Sequence, residues 1–485
     1  MEIRTTHPIA VVGAGTMGAG IAQVAATVGH PVTVVDQDPA ALSRGRASVK
    51  AALDTAVAKR RLEPAARDEI EARITWSTEL TQVARKSLVI EAIVEKLDAK
   101  QHLIGTIARV ALCNMPIASN TSSLGIGELA QALATPDRFL GLHFFNPVPA
   151  MKLVEVIAGP KTSQTVIAAM VNLMLAWGKH PVVVRDVPGF IVNRVARPYY
   201  GEGFAAVDDG IAPATVDAAM TGAGGFRMGP LGLADMIGHD VNFTVACSVH
   251  DAYAGRTRFR PQKAQRALVE AGRLGCKSGL GVYDHGKKLP VADFAEPALA
   301  PVEIALCVLD LLAPLGAEAR AAKIAVVNDP TLEPDMIRIG DSVMALGDGR
   351  RFDQRPGVDI LIDHVRDFAT ATTCVISARS PTHAMAATGL LQAIGRRVVI
   401  VPDRAGQVVL RTLAQLANAA ADAEIDEVAD ANGIDEAMLH GANHPEGPLG
   451  WARRIGHDRV RTALSNIAHA EKDSMYEPSP FFDPR

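Results

Sequence analysis

The sequence predicts an α/β protein in four parts: an N-terminal doubly wound domain, an all-α module, a degenerate second α/β segment and a second helical module. Three observations predict it. Short apolar runs alternate with helical stretches through the first 186 residues, the pattern of a parallel sheet wrapped by helices. The texture then turns helical as far as about residue 285. The tail repeats the sequence of that helical stretch without the motifs that precede it.

Residues 8–12 (PIAVV) form an apolar run of the length of a buried parallel strand. GAGTMG (13–18) follows, then a helix of small residues, AGIAQVAATVG. A second run, PVTVV (31–35), ends at Asp36. About fifty helical residues follow. SLVIEAIV (87–94), residues 116–119, FLGLHFF (139–145) and residues 154–157 read as further strands. Pro188-Gly189 breaks the chain, and residues 190–207 read as one long helix. Residues 286–301 carry three prolines and a basic pair, the composition of a linker.

The remainder contains a repeat. VDAAM (216–220) returns as IDEAM (434–438), MGPLGLADMIGHD (228–240) as EGPLGWARRIGHD (446–458), and WGKHPVVVRDVPG (177–189) as IGRRVVIVPDRAG (394–406). The offsets are 217 upstream and 218 downstream, so one residue is inserted. The expected division is therefore 1–186 α/β, 187–285 helical, 286–300 linker, 301–402 degenerate α/β and 403–485 second helical. The 301–402 stretch has no G-x-G-x-x-G, and no counterpart of the 139–145 strand is evident in it.

Composition narrows the functional classes. Forty-nine Lys and Arg against 53 Asp and Glu leave a net charge of −4, which disfavours nucleic-acid coating. Aromatics at 4% supply no base-stacking platform. Cys113, Cys247, Cys276, Cys307 and Cys374 are odd in number and form no C-x-x-C, so neither a disulfide framework nor a structural zinc site is expected. Buried thiols in a reducing cytoplasm are expected instead, and no metal is assigned. Residues 5–35 carry no Asp, Glu, Lys or Arg, but five glycines and Pro31 interrupt them, so no membrane span is expected.

Gly13-x-Gly15-x-x-Gly18 between a strand and a helix is the fingerprint of a Rossmann dinucleotide site. Gly13 permits the tight turn, Gly15 lets the backbone approach a pyrophosphate, and Gly18 lets helix and strand pack closely. Asp36, at the end of the next strand, suits two ribose hydroxyls and repels a 2′-phosphate, which favours NAD over NADP. FAD uses the same fingerprint and stays open on this signal alone.

His143 ends a strand-like run, and Glu155 lies twelve residues on, past Pro147 and Pro149. A strand, a turn and a second strand would join them, so that the carboxylate fixes the imidazole tautomer and supports its positive charge. A core histidine satisfied by packing fits the spacing equally. Ser122, in SNTSSL, lies on a loop after a strand and faces a ligand crevice or caps a helix. Asn193, an amide in an apolar FIVNR run, holds a polar ligand or a backbone group.

Taken together, GAGTMGAGIAQVAA, IEAIVE, SNTSSL, GLHFFNPVPAMKLVEVI, PGFIVNR and MGPLGLADMIGHD resemble the L-3-hydroxyacyl-CoA dehydrogenases, in the bacterial 3-hydroxybutyryl-CoA and 3-hydroxyadipyl-CoA branch with a duplicated C-terminal domain. The resemblance is dense over about residues 5–285 and weaker over about 390–485. It implies NAD-dependent oxidation of a 3-hydroxyacyl-CoA in fatty-acid or phenylacetate catabolism. It makes His143 the base, Glu155 its partner, and Ser122 and Asn193 contacts to the substrate oxygen and the nicotinamide region. Glu95, Lys100, Asn146 and Lys277 match cofactor positions, and Lys59 matches a CoA-contacting lysine. Ala52 stands where the family often has a CoA-contacting serine, so the detail of CoA binding departs from the pattern.

In the tail, Leu410 replaces the equivalent of Asn193, and Arg411 aligns with Arg194. The second copy is therefore expected to be structural, forming a homodimer-like interface or a pseudo-dimer within one chain. The rival readings are a non-enzymatic NADH-binding sensor or structural protein, and a dehydrogenase of free hydroxy acids.

Overall fold

The computed structural model describes residues 2–112, 114–308 and 310–484. Cys113, one of the thiols expected to be buried, lies outside them. The chain folds as two compact units. One is the chain up to Val192 together with Asp426–Ala442; the other is Asn193–Ile425 together with the chain from Asn443 onward. This division differs from the five sequence segments, because a piece of the tail module is folded into the first unit.

The first unit is built on an eight-stranded sheet. Its strands are β1 (Ile9–Val12), β2 (Val32–Val35), β3 (Ile74–Ser77), β4 (Val89–Glu91), β5 (Ile117–Ser119), β6 (Phe139–Phe144), β7 (Leu153–Ala158) and β8 (His180–Arg185). The spatial order is β3-β2-β1-β4-β5-β6-β7-β8. β3 to β6 all run parallel, the doubly wound order with its switch point between β1 and β4. Every residue of β1, β2, β4, β5 and β6 is buried. That is why these strands read as unbroken apolar runs rather than as alternation. The helices Thr16–Thr27 and Gln164–Ala176 pack into the same apolar cluster as β1, β2 and β7.

The sheet reverses direction once, where the proline-bearing segment 145–152 folds β7 back antiparallel to β6. The register pairs His143 with Glu155 directly. Beyond β8 the expected long helix is two short ones, Val192–Val195 and Arg197–Asp208. Phe190 takes a left-handed φ of 49°. Pro198, in the first turn of the second helix, has no N–H to carry the first helix on.

The second unit carries a seven-stranded sheet: β9 (Glu303–Leu306), β10 (Ala325–Asn328), β11 (Met336–Ile339), β12 (Ser342–Leu346), β13 (Ile360–Ile362), β14 (Thr373–Ala378) and β15 (Arg397–Ile400). The order is β10-β9-β11-β12-β13-β14-β15. From β12 onward the pairings are parallel, antiparallel, parallel, as they are from β5 to β8. The degenerate segment is thus a second α/β layer, and the strand thought to be missing is present as β13. Its sequence, ILIDH, hid it because no residue of HFFNP survives.

Register shows what replaced the lost residues. Val182 opposes Glu155, and its repeat partner Val399 opposes Val375. Val375 in turn bonds the N–H of Asp363, which puts Asp363 in the place of His143. Asp363 accepts the backbone N–H groups of Val408, Val409 and Leu410 at 2.7–2.9 Å. In the first copy Glu155 accepts those of Ile191 and Val192 at 3.0 Å. Buried N–H groups at a helix start need an acceptor. The second copy supplies one from the neighbouring strand and gives up the imidazole.

Apart from Asp426–Ala442, both helical modules lie in the second unit, and they share details beyond sequence. Gly238 and Gly456 adopt the same backbone angles, φ 99° and 100° with ψ 127°. Arg194 stacks on Tyr253 at 4.6 Å, and its counterpart Arg411 stacks on Tyr476 at 4.5 Å. The helices Arg197–Asp208 and Val409–Ile425 face each other, with Arg404 and Arg411 both reaching Glu202. A chain ending after residue 300 would strand the buried Glu202 without either guanidinium and uncover the apolar face under Val409–Ile425. Light scattering should find that truncation aggregated or self-associated. A soluble, active monomer would refute the structural role of the second copy.

Candidate active site

The fingerprint loop joins β1 to the helix Thr16–Thr27. Gly13 has φ +110°, and a Cβ there would meet the carbonyl oxygen of Ala92 at 2.5 Å. A Cβ on Gly18 would lie 1.9 Å from the carbonyl oxygen of Gly13. Neither position admits a side chain without moving backbone. At Gly15 a Cβ would meet nothing within 4 Å, so this backbone faces open space. Gly15 also caps the helix with no side-chain bond to its first N–H groups, which leaves them to a phosphate. Asp36 sits just past β2. Its Oδ2 accepts from Ala14 N at 2.8 Å and its Oδ1 from Asp38 N at 3.0 Å. Each oxygen keeps a further lone pair for a ribose hydroxyl. The cradle fits a dinucleotide with an unphosphorylated ribose.

His143 and Glu155 form the second element. Nδ1 of His143 lies 2.6 Å from Oε2 of Glu155. His143 is 6% exposed and Glu155 fully buried. The other carboxylate oxygen accepts the Ile191 and Val192 N–H groups, so both oxygens are fixed. The ring packs beside Phe145 and Phe190, with centroids 4.4 and 5.8 Å away. Because Nδ1 is committed to the carboxylate, Nε2 is the nitrogen left to exchange a proton. Asn120 pins the end of β6 by accepting from Phe144 N at 2.9 Å.

A third cluster gathers around the ends of β4 and β5. Glu95 Oε1 accepts from Thr121 Oγ1, Ser122 N and Oγ, and Ser123 N and Oγ, at 2.8–3.2 Å. Burial opposes its ionisation, but Lys100 and these hydrogen bonds outweigh it and hold the carboxyl below its usual range. Lys100 is 1% exposed. Its ammonium donates to Glu91 Oε1 at 2.7 Å and to the Ile93 carbonyl, and lies 3.3 Å from Glu95 Oε2. It therefore organises Glu95 rather than pointing outward. Glu91, fully buried, also accepts from Ser119 Oγ at 2.5 Å. Sequence reasoning missed Glu91; the signal was an acid inside the apolar run SLVIEAIV.

The structure thus brings Glu95, Lys100 and Ser122 into one network and His143 and Glu155 into another. Asn146 is exposed on the turn after β6. Lys59 is exposed at the end of the helix Pro39–Ala58, with Ala52 on the same helix. Asn193 and Lys277 belong to the second unit, where Asn193 lies in Val192–Val195 and Lys277 pairs with Asp240. Among the described cysteines all are free thiols; Cys374 is buried, but Cys276 is exposed, against expectation.

A dinucleotide cradle and a carboxylate-braced imidazole on one doubly wound sheet define an NAD-dependent oxidoreductase acting on a CH–OH group. The chain belongs to the 3-hydroxyacyl-CoA dehydrogenase family. Residues 8–187 match the NAD-binding domain of that family, and residues 189–285 and 406–484 both match its C-terminal domain. The chain is 39% identical to the 3-hydroxyadipyl-CoA dehydrogenase of Escherichia coli over 97% of its own length and 95% of the relative's. It is 41% identical to the mitochondrial hydroxyacyl-coenzyme A dehydrogenase of Sus scrofa over 57% of this chain and 90% of that one. The crystal structure of 3-hydroxybutyryl-CoA dehydrogenase from Escherichia coli matches with a TM-score of 0.89 at 35% identity, covering 98% of this chain and 97% of the other. Among the described residues no helix is long and apolar enough to cross a membrane.

Proposed function

We propose that the chain oxidises the L-3-hydroxyl of a short or dicarboxylic 3-hydroxyacyl-CoA, with His143 as base. The observation that carries this reading is the 2.6 Å contact between His143 and the wholly buried Glu155. Bound NAD⁺ supplies the hydride acceptor. Nε2 of His143 takes the hydroxyl proton, and Glu155 stabilises the imidazolium through Nδ1. Asp36 and the glycines Gly13, Gly15 and Gly18 hold the dinucleotide. Glu95 and Ser122 serve its nicotinamide side, with Lys100 behind Glu95. Ser122 and Asn193 orient the substrate oxygen. Asn146 and Lys277 as cofactor contacts, and Lys59 as a contact to CoA phosphate, rest on the resemblance of their motifs. The second helical module serves as the built-in counterpart of a dimer partner, and the free thiols support a cytoplasmic location.

The names of the two full-length relatives supply the acyl groups to try, 3-hydroxyadipyl and 3-hydroxybutyryl. The test is NAD⁺ reduction with both CoA esters, and NADH oxidation with acetoacetyl-CoA against free acetoacetate. Turnover of the thioesters alone supports the reading. Turnover of the free acid would establish a hydroxy-acid dehydrogenase, and turnover of neither would establish a binding protein. Asp36→Ala removes the ribose acceptor and loosens the fingerprint loop at Ala14. NADH affinity should fall about tenfold, the worth of roughly 1.4 kcal/mol of hydrogen bonding. NADPH affinity should change far less, so discrimination between the two narrows. Fluorescence titration of both nucleotides checks it.

A further inference from the structure

We propose that His180, Glu436 and His440 form a zinc site that clasps a helix of the C-terminal third onto the edge of the first sheet. All three residues lie in the first unit. His180 opens β8, the outermost strand at that edge. Glu436 and His440 lie four residues apart on one face of the helix Ala431–Gly441, which packs against β7 and β8.

Nε2 of His180 is 3.0 Å and Nε2 of His440 is 3.1 Å from the same carboxylate oxygen, Oε2 of Glu436. The two rings lie 4.5 Å apart. All three donor atoms fall within 4.8 Å of one another, and tetrahedral zinc with bonds of about 2.0–2.1 Å needs donors roughly 3.3 Å apart. The two nitrogens, within 4.8 Å of each other, close on that spacing by an approach of at most about 1.5 Å. The three side chains are 27–44% exposed, so an ion can enter and a water can fill the fourth position.

The chemistry of the triad suits a metal. Without one, both imidazoles donate an Nε2–H to the same carboxylate oxygen and use both of its lone pairs. With one, each nitrogen offers its lone pair, the carboxylate contributes charge, and three bonds replace two hydrogen bonds. Two imidazoles and a carboxylate with an open position suit a borderline divalent ion such as Zn²⁺. The site takes no part in the proposed chemistry, although it shares a sheet face with it: His180 pairs with Leu153, two residues before Glu155. Its role is to fasten Asp426–Ala442, which both chain ends lead back out to the second unit, against β8.

The test uses the full chain, stripped with a chelator and titrated with zinc chloride by calorimetry and by competition with a chromophoric chelator. One equivalent should bind and raise the thermal midpoint. His180→Ala, His440→Ala and Glu436→Gln should each weaken binding at least tenfold and abolish the thermal shift, whereas His469→Ala, exposed elsewhere, should change neither. Binding at about pH 5 should be weaker than at about pH 7.5, because protons compete for imidazole nitrogen. X-ray absorption should show two imidazoles and oxygen. NADH titration of each variant verifies that the nucleotide domain remains folded. Zinc held equally by the His180→Ala/His440→Ala double variant overturns the proposal, as does zinc lost only in Cys276→Ser, where Cys276, His285 and Asp235 also lie together.

Discussion

Replacing His143 with glutamine should lower kcat about 10³-fold or more while leaving NADH affinity within about twofold of the parent. Glutamine keeps a polar side chain of similar reach in the pocket beside Phe145 and Phe190, so packing is largely preserved. What it removes is a group that accepts a proton at Nε2 while its other nitrogen rests on a carboxylate. The nucleotide is held through other residues, Asp36 and the backbone of the fingerprint loop, and those contacts do not pass through the imidazole. The split between unchanged binding and lost turnover is the signature of a proton acceptor. Steady-state kinetics with acetoacetyl-CoA and NADH, beside a fluorescence titration of NADH, measures both arms. Unchanged turnover would remove His143 from the chemistry. Equal losses in turnover and NADH affinity would make it a structural residue of the sheet.

The parts of this site that could be read from sequence are those set by local rules. A glycine turn between a strand and a helix, and an acid at the end of the next strand, are fixed by backbone sterics and by phosphate geometry, and both act over few residues. The pairing of His143 with Glu155 was legible as a strand, a proline turn and a strand, but its register came only with the sheet. Lys100 shows where local reading ends. Its motif places it among cofactor contacts, yet its ammonium is buried and spent on Glu91, Ile93 and Glu95, which converge from β4 and the segment after it. The second sheet was harder still. A buried strand is specified by burial on both faces, which any run of Ile, Leu and Val satisfies, so β13 kept its place after losing every functional residue. His180 and Glu436 were invisible together because only the fold makes them neighbours.

The largest stability effect is expected at Glu202, in the second unit. It is 4% exposed, and Arg404 and Arg411 are each 2% exposed. One oxygen, Oε2, meets Arg411 Nε at 2.8 Å and Arg404 Nη2 at 3.4 Å. Burial works against the Arg411 charge, but Glu202, Tyr476 and Glu471 outweigh it and hold the guanidinium above its ordinary range. Glu202→Ala therefore leaves two buried cations with one anion fewer between them. Breaking a buried pair from one side costs about 3–5 kcal/mol, far more than the intact pair contributes over apolar residues of the same shape. Denaturant unfolding should show that loss, with NADH binding retained, because Glu202 lies outside the nucleotide unit. Arg411 keeps Glu471 at 3.1 Å and the Tyr476 hydroxyl at 2.5 Å, and Arg404 keeps Asp209, so the structure should survive to be measured. Adding Arg411→Met to Glu202→Ala removes one of the stranded charges and should return part of the loss; the double-mutant cycle then separates the pair from its burial. If the two substitutions simply add, Glu202 serves as packing rather than as the counter-ion that joins the two helical copies.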